Sequence, residues 1–270
     1  MPALETAYAK INLALHVRRR RGDGYHEIET LFAFVDAGDA LVAEVAPRDE
    51  LHTVGGFAPQ LTDPLGNIVA RALSALPRAD GLRITLEKRL PVAAGLGGGS
   101  ADAGAVFRLV RDRYTLPKDW QARAAKLGAD VPACVESHTC FGRGTGAQLD
   151  PGPQDLAGTA VLLVNPRVPL STGPVFAGWD GIDRGRLPAG TARQIALTGR
   201  NDLEAPALAL CPAIGEVLAV LRETAAWLVR VSGSGATCFA LFQRHDVMRE
   251  AAETLARAHP GWWQMTGSLR

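Results

Sequence analysis

Thirteen residues in the first half of the chain have the composition of a phosphate-binding loop. Residues 91–103 read Pro-Val-Ala-Ala-Gly-Leu-Gly-Gly-Gly-Ser-Ala-Asp-Ala, between a predicted strand and a predicted helix. Glycine lets backbone N–H groups approach a ligand closely, and a helix N-terminus adds unpaired N–H donors and a positive dipole end. The segment therefore predicts a phosphate cradle, in which Ser100 can cap the helix or reach a phosphate or its Mg²⁺. A flexible connector or tight turn is the alternative.

Other nucleotide-binding signatures are absent from the sequence. A Walker A loop needs Gly-Lys-Ser/Thr, and none of the four lysines follows a glycine. A dinucleotide fingerprint needs a third glycine where Ser100 stands. The His-Arg-Asp and Asp-Phe-Gly triplets of protein kinases do not occur. A phosphate-binding loop at this place would therefore be of a class other than these three.

A second glycine-rich stretch, Val-Ser-Gly-Ser-Gly-Ala-Thr-Cys-Phe over residues 231–239, lies between two strand-like runs. Glycine-rich dipeptides commonly form hairpin turns. Beside the first loop, the same stretch could instead form a second wall against phosphate. The sequence leaves both interpretations open.

Lys10 and Asp130 are candidates for a charged pair. Residues 7–17 alternate as a strand, so Lys10 and Asn12 share one face, one pleat apart. Asp130 follows a predicted helix end. A carboxylate beside an ammonium would make a held general base. Alternatively, Lys10 is a snorkelling or edge-strand lysine and Asp130 an ordinary turn residue.

The turn over residues 23–26, Asp-Gly-Tyr-His, carries an aromatic ring and an imidazole at its exit. Such a pair can stack on a nucleic-acid base and hydrogen-bond to its edge. The alternative is a hairpin loop with amphipathic residues.

Strands and helices mix without a regular β-α-β period, which favours an α+β fold. The Pro/Gly-rich residues 150–153 suggest a boundary between a domain over 1–152 and another over 153–270. The predicted strands cover residues 7–17, 28–35, 41–45, 82–87, 161–164 and 237–242. The predicted helices cover residues 68–76, with Asn67 as cap, 102–114, 119–127, 212–227 and 245–258.

The composition is that of a globular enzyme or binding protein. Of the 270 residues, 47% are hydrophobic and 21% charged, and the net charge of +1 argues against a nucleic-acid partner. No apolar run approaches the ~20 residues of a membrane helix, and the N-terminus lacks a signal-peptide pattern, so we expect a cytoplasmic protein without a membrane partner. The four cysteines and six histidines show no metal-ligand spacing.

Together these stretches resemble the GHMP kinase superfamily, named for galactokinase, homoserine, mevalonate and phosphomevalonate kinases. The first glycine-rich loop is shared across that superfamily. The Asp-Gly-Tyr-His turn and the Gly-Ala-Asp-Val-Pro segment resemble its diphosphocytidyl-methylerythritol branch. The matching stretches cover residues 9–13, 21–26, 91–102, 128–132, 200–204 and 232–239.

The resemblance implies a two-domain fold, with an N-terminal half like ribosomal protein S5 domain 2 and a ferredoxin-like C-terminal half. It implies phosphoryl transfer from ATP, with Mg²⁺, to a tertiary hydroxyl of a small molecule. Asp130 would be the catalytic base, Lys10 its partner and Asn12 the residue that orients the acceptor. Tyr25, His26, Thr172 and Phe176 would contact the cytidine. The ATP-binding residues would be Pro91, Val92, Ala93, Ala94, Gly95, Leu96, Gly97, Gly98, Gly99, Ser100 and Ala101.

The chain departs from the family pattern at three positions. Ala101 and Gly104 stand where Ser and Ala are commoner, and Ala147 stands where Glu is frequent. Three other functions are weighed against the main one: another small-molecule GHMP kinase such as a homoserine kinase, an RNA-binding protein, and a non-catalytic nucleotide sensor. The aromatic residues disfavour a homoserine kinase, and the net charge disfavours an RNA-binding protein. The combination of Lys10 and Asp130 disfavours a non-catalytic sensor. The metal ligands and the oligomeric state are not predicted.

Overall fold

The computed structural model describes residues 2–61, 63 and 66–270. A mixed, six-stranded sheet forms the N-terminal half, and the long strand β2 is its centre. One edge of β2 pairs with β1, while β4 and β5 share its other edge. The strands are β1 Ala3–Arg20, β2 His26–Ala46, β3 Glu50–Val54, β4 Gly81–Glu87, β5 Cys140–Gly144 and β6 Gln148–Pro151.

Four helices cover one face of this sheet. They are α1 Ile68–Ala75, α2 Gly98–Tyr114, α3 Trp120–Leu127 and α4 Val131–Glu136. The Asn67 side chain caps α1 by accepting a hydrogen bond of 2.9 Å from the N–H of Val69, as the sequence predicts. The α2 helix begins four residues before the predicted start, because the left-handed Gly97 (φ +62°) turns the chain into the helix there.

The C-terminal half is a four-stranded antiparallel sheet with the order β10-β7-β9-β8. Its alternation of strands and helices is that of a ferredoxin-like unit with extra helices inserted. The strands are β7 Ala160–Asn165, β8 Leu228–Val231, β9 Cys238–Phe242 and β10 Trp263–Ser268. The helices are α5 Thr172–Ala177, α6 Ala192–Thr198, α7 Glu204–Leu210, α8 Ala213–Arg222 and α9 His245–Ala258.

The two sheets face each other across a shared hydrophobic core. On the N-terminal side, the alternate residues Ala9, Ile11 and Leu13 of β1 enter this core, and Val161 and Leu163 of β7 meet them. The opposite face of β1 carries Lys10 and Asn12, as the alternation predicts, but both side chains are buried. The fold class is therefore α+β with two packed halves, as predicted. The proposed boundary after residue 152 lies between β6 and β7.

Three further predicted elements have bounds that differ from those observed. Residues 28–35 and 41–45 belong to one strand, β2, because Gly38 has no side chain to collide with the Ala7 carbonyl oxygen, which lies 1.9 Å from where a Cβ would stand. The predicted helix over 212–227 ends at Arg222. There the Thr224 hydroxyl donates to the Leu221 carbonyl at 2.6 Å. The Trp227 N–H donates to the Leu241 carbonyl of β9 at 2.9 Å. Among the described residues, no helix is both long and apolar enough to cross a membrane.

Candidate active site

A cavity of about 810 Å³ lies in the cleft where the two halves meet. Its walls come from β1, the β1–β2 turn, the first glycine loop (residues 91–100), α5 and the second glycine loop (residues 232–237). The predicted site residues that line it are Lys10, Asn12, Tyr25, His26, Ala93, Ala94, Gly95, Gly97, Gly98, Gly99, Ser100, Asp130, Thr172 and Phe176. Pro91 and Val92 line a neighbouring cavity instead, and the side chains of Leu96 and Ala101 lie in the core, 1% exposed.

Lys10 and Asp130 meet in this cavity, with 3.0 Å between Nζ and Oδ2. Lys10 is buried, whereas the Asp130 side chain keeps 31% of its surface exposed. The Lys10 ammonium also donates to Asn12 Oδ1 at 3.2 Å, and Asn12 Nδ2 donates to Thr30 Oγ1 at 2.8 Å. The ammonium is thus fixed at the base of the cavity, and the carboxylate faces the space above it.

The Asp130 carboxylate is not engaged in capping a helix and is therefore available to Lys10. Asp130 is the N-cap residue of α4, but its side chain makes no capping hydrogen bond. Cys140 lies near the charged pair, and burial raises the pKa of this thiol to about 12. It therefore remains a neutral thiol at physiological pH, and the carboxylate is the group suited to accept a proton here.

The first glycine loop lines the cavity with two left-handed glycines and the first turn of a helix. Gly95 and Gly97 have φ values of +75° and +62°, a region that glycine adopts without strain. The loop runs into α2, whose first-turn N–H groups have no intrahelical partner. Gly98, Gly99 and Ser100 form that turn and line the cavity. The arrangement is suited to bind an anion such as a phosphate.

The second glycine loop connects β8 to β9, so the hairpin interpretation of this stretch is correct. The same loop also packs on the first one. The Thr237 N–H donates to the Ala94 carbonyl at 3.1 Å, and the Ser232 hydroxyl donates to the Gly95 carbonyl at 2.7 Å. A Cβ on Gly95 would lie 2.2 Å from the Ser232 carbonyl oxygen. The two loops therefore meet backbone to backbone.

Aromatic side chains line the other end of the cavity. The ring centroids of His26 and Phe176 are 5.1 Å apart, and Trp179, which sequence reasoning missed, packs edge-on to His26 at 5.9 Å. Tyr25 lines the cavity and is 64% exposed. Burial, reinforced by the charge of Arg20, lowers the pKa of His26, so the ring is neutral at pH 7. Its Nε2 atom is buried and has no hydrogen-bond partner within the described residues.

A buried ion cluster supports the first glycine loop and was missed by sequence reasoning. The Lys88 ammonium pairs with Asp39 and, at 2.7 Å, with Asp102, and none of the three side chains is more than 3% exposed. Burial opposes the charge on Lys88, but the two carboxylates outweigh it and raise the pKa of the ammonium. Lys88 and Asp102 line the neighbouring cavity of about 300 Å³. The signal in the sequence was a rare lysine three residues before the loop.

The comparisons with known proteins agree with this geometry. The model of the GHMP kinases N terminal domain matches residues 67–138, and the model of the GHMP kinases C terminal region matches residues 188–261. The 4-diphosphocytidyl-2-C-methyl-D-erythritol kinase of Novosphingobium aromaticivorans is 66% identical, over 100% of this chain and 94% of the relative. The enzyme of the same name from Erythrobacter litoralis is 62% identical, over 98% of this chain and 99% of the relative.

Solved structures give the same result. A crystal structure of 4-(cytidine 5'-diphospho)-2C-methyl-D-erythritol kinase superposes with a TM-score of 0.81 and 36% identity, and covers 100% of this chain and 99% of its own. Homoserine kinase from Cytophaga hutchinsonii, at 18% identity, a TM-score of 0.68 and coverage of 97% and 95%, shares the fold. The fold and the loops are those of a GHMP kinase, an ATP-dependent small-molecule phosphotransferase. Within this class, the chain belongs to the family of 4-diphosphocytidyl-2-C-methyl-D-erythritol kinases.

Proposed function

We propose that this kinase transfers the γ-phosphoryl group of ATP to the C2 hydroxyl of 4-diphosphocytidyl-2-C-methyl-D-erythritol, in the non-mevalonate route to isoprenoid precursors. The observation that carries the proposal is the Lys10–Asp130 pair, 3.0 Å apart, in a cavity with a glycine-rich anion site on one side and aromatic rings on the other. An acceptor that joins a cytosine to a polyol through a diphosphate has groups that suit the different parts of this cavity. The cytosine would lie among the aromatic rings and the polyol beside Asp130.

The aromatic end is suited to a pyrimidine. Phe176 and Tyr25 would supply apolar surface for the base, and the neutral His26 ring has an unpartnered Nε2 atom for its polar edge. A buried polar atom without a partner favours a ligand that supplies one. Thr172, at the start of α5, would contact the ribose side of the acceptor.

Asp130 would accept the proton of the acceptor hydroxyl as that oxygen attacks phosphorus. Lys10 would offset negative charge on the transferring group, since its ammonium is buried and held by two partners. Asn12 would orient the acceptor. The N–H groups of the first glycine loop would bind the triphosphate oxygens, so catalysis would come mainly from positioning and charge neutralisation.

A Mg²⁺ ion fits the residues around the triphosphate position. Mg²⁺ in kinases takes one or two protein oxygens and completes its octahedron with phosphates and water. Ser100 and Asp130 both offer oxygen atoms to the cavity, whereas the described residues contain no cluster of three or more His, Cys, Asp or Glu side chains for a metal. When bound there, the ion would supply positive charge that offsets the negative charge of the triphosphate.

Homoserine kinase is the alternative, since its fold is shared. The Phe176 and Trp179 rings lie 5.1 and 5.9 Å from the His26 ring. A small amino acid, however, has no aromatic base to contact this cluster. The test is ADP release from ATP and Mg²⁺ with the diphosphocytidyl acceptor, homoserine or mevalonate, each beside an Asp130→Asn control. We expect turnover with the first acceptor. Faster turnover with homoserine or mevalonate would refute the proposal.

A further inference from the structure

Asn201 is a buried residue that links two walls of the active site, one through its side chain and the other through the backbone beside it. It lies in the segment Arg-Asn-Asp-Leu-Glu over residues 200–204, between α6 and α7. Its Nδ2 atom donates to the Val231 carbonyl at 2.9 Å and to the Gly233 carbonyl at 2.7 Å. Its Oδ1 atom accepts from the Leu203 N–H at 3.0 Å. All three hydrogen bonds of the amide, two donated and one accepted, are therefore made with backbone groups.

The backbone on either side of Asn201 is bound to β1. The Leu15 N–H donates to the Arg200 carbonyl at 2.8 Å, and the Asp202 N–H donates to the Leu15 carbonyl at 2.9 Å. This bridge follows the irregularity in the β1–β2 register between Asn12 and Ala14. Asn201 thus has its backbone on the strand that carries Lys10 and its side chain on the second glycine loop.

Gly233, whose carbonyl group accepts from Asn201, lies beside Asn12 and the first glycine loop. Gly233 has φ +55°, and a Cβ at this position would lie 3.2 Å from Asn12 Oδ1 and 3.4 Å from the Gly95 carbonyl oxygen. Asn12 Oδ1 in turn accepts from Lys10. A shift of the Gly233 carbonyl would therefore be felt by the first glycine loop and by the side chain next to the charged pair.

We propose that Asn201 is a positioning residue, which holds the second glycine loop closed against the first and in register with β1. This inference rests on the proposed function, and it assigns to residues 200–204 a role in aligning ATP with the acceptor. The requirement is for an uncharged amide with two donors. A carboxylate of the same shape would place negative charge against two carbonyl oxygens and could donate to neither.

The test is Asn201→Asp, measured by steady-state kinetics for both substrates and by calorimetric titration of the acceptor without ATP. We expect kcat/KM for ATP to fall about 100-fold, because a displacement of about 1 Å in a positioning group is enough for such a loss. Acceptor affinity should fall less than kcat/KM for ATP, because the rings of His26 and Phe176 are untouched and the second glycine loop meets the acceptor end through the 3.1 Å contact between the Thr172 and Ser234 hydroxyls. A purely structural role would lower the melting temperature and leave the kinetics of the folded fraction unchanged, which would overturn the proposal.

Asn165→Asp is the matched control. Asn165 is also buried, and its Nδ2 donates to the Thr237 hydroxyl at 2.9 Å while its Oδ1 accepts from the Arg167 N–H at 2.7 Å. A carboxylate can accept from both groups, so kcat/KM should stay within about threefold of wild type. Equal losses of kcat/KM in Asn201→Asp and Asn165→Asp would contradict the positioning role of Asn201.

If Asn201→Asp does not fold, Asn201→Ser decides the question, because it adds no charge and removes at least one donor. We expect a loss of about tenfold in kcat/KM for ATP, and wild-type kinetics would refute the proposal. Turnover of the diphosphocytidyl acceptor by the wild-type enzyme tests the proposed function separately. Failure of the Asn201 variants to lose activity would leave that function intact.

Discussion

At the scale of single residues, the proposed chemistry rests on the ammonium of Lys10 and the carboxylate of Asp130. Neither residue was distinctive in the sequence, because a lone lysine in a strand and an aspartate in a turn are both common. What distinguishes them in the structure is that the Lys10 ammonium is buried against Asn12 and Asp130. A buried charge needs partners of this kind.

Asp130→Asn should lower kcat by about 10²- to 10⁴-fold, because the amide keeps the size of the carboxylate but cannot accept the hydroxyl proton. Both substrates should still bind, since neither the glycine loops nor the aromatic cluster is altered. Single-turnover kinetics give the rate, and circular dichroism confirms folding. Near-wild-type turnover would remove the general-base assignment.

Lys10→Met should also lower kcat. Because the 3.0 Å pair would act as a unit, the double variant should be far less impaired than the product of the two single effects. A double-mutant cycle in the same assay measures this. Full multiplicativity would mean that the two residues act independently.

Phe176→Ala should weaken acceptor binding by about 10- to 100-fold, because stacking of a base on an aromatic ring contributes about 1–3 kcal/mol. The ring lies 5.1 Å from His26 and lines the same cavity. ATP affinity should barely change. Calorimetric titration of each ligand is the measurement, and equal losses for both would indicate misfolding or a different acceptor site.

At the scale of elements, the two glycine loops pack against each other at the proposed anion site. Each loop was recognisable in the sequence, and the structure shows why both need glycine. Gly95 stands at φ +75° with the Ser232 carbonyl 2.2 Å from any added Cβ. The second glycine loop is both a hairpin turn and a wall of the cavity.

Gly95→Ala should lower ATP affinity by at least about tenfold, because the methyl group must push the second loop away while the backbone stays left-handed. Gly215→Ala is the matched control. Gly215 lies in α8, where an added Cβ meets only the Leu208 side chain, at 3.5 Å. Alanine there should be neutral or stabilise the helix by about 0.5–1 kcal/mol. Binding of a non-hydrolysable ATP analogue measures both, and unchanged binding in Gly95→Ala would contradict the loop contact.

At the scale of the whole molecule, the halves are joined along β1, and His16 lies in that joint. Its Nδ1 faces the Gly185 carbonyl at 3.1 Å, and its Nε2 accepts from the Arg200 N–H at 3.2 Å. These partners require the neutral ring with its proton on Nδ1. Burial, with the charge of Arg200, lowers the pKa of His16 below the usual 6.5.

The free energy of unfolding should therefore fall as the pH drops below about 6.5. The unfolded chain then takes up a proton on His16, whereas the folded chain, with its lower pKa, does not. The loss is at most about 1.4 kcal/mol per pH unit and stops below the folded pKa. His16→Gln cannot titrate, so urea unfolding at pH 7.5, 6.5 and 5.5 should show a flatter profile than wild type. Parallel profiles would show that His16 is not responsible.

Local signals in the sequence determined much of this protein. The alternation of residues 7–17, the Asn67 cap and the two glycine-rich stretches predicted a strand, a helix start and two loops that the structure contains. These features depend on neighbours a few residues apart, so they can be read without a fold. The family resemblance extended these local predictions to an α+β kinase fold.

Only the tertiary structure decided which residues meet. Lys10 and Asp130 are 120 positions apart in the numbering, and nothing local indicates their 3.0 Å contact. The same holds for Lys88 with Asp39 and Asp102, and for Asn201 with the Gly233 carbonyl, because sheet register and helix packing place these groups. A buried charge or amide is identified by the partners that compensate its lost hydration, and those partners come from distant parts of the chain.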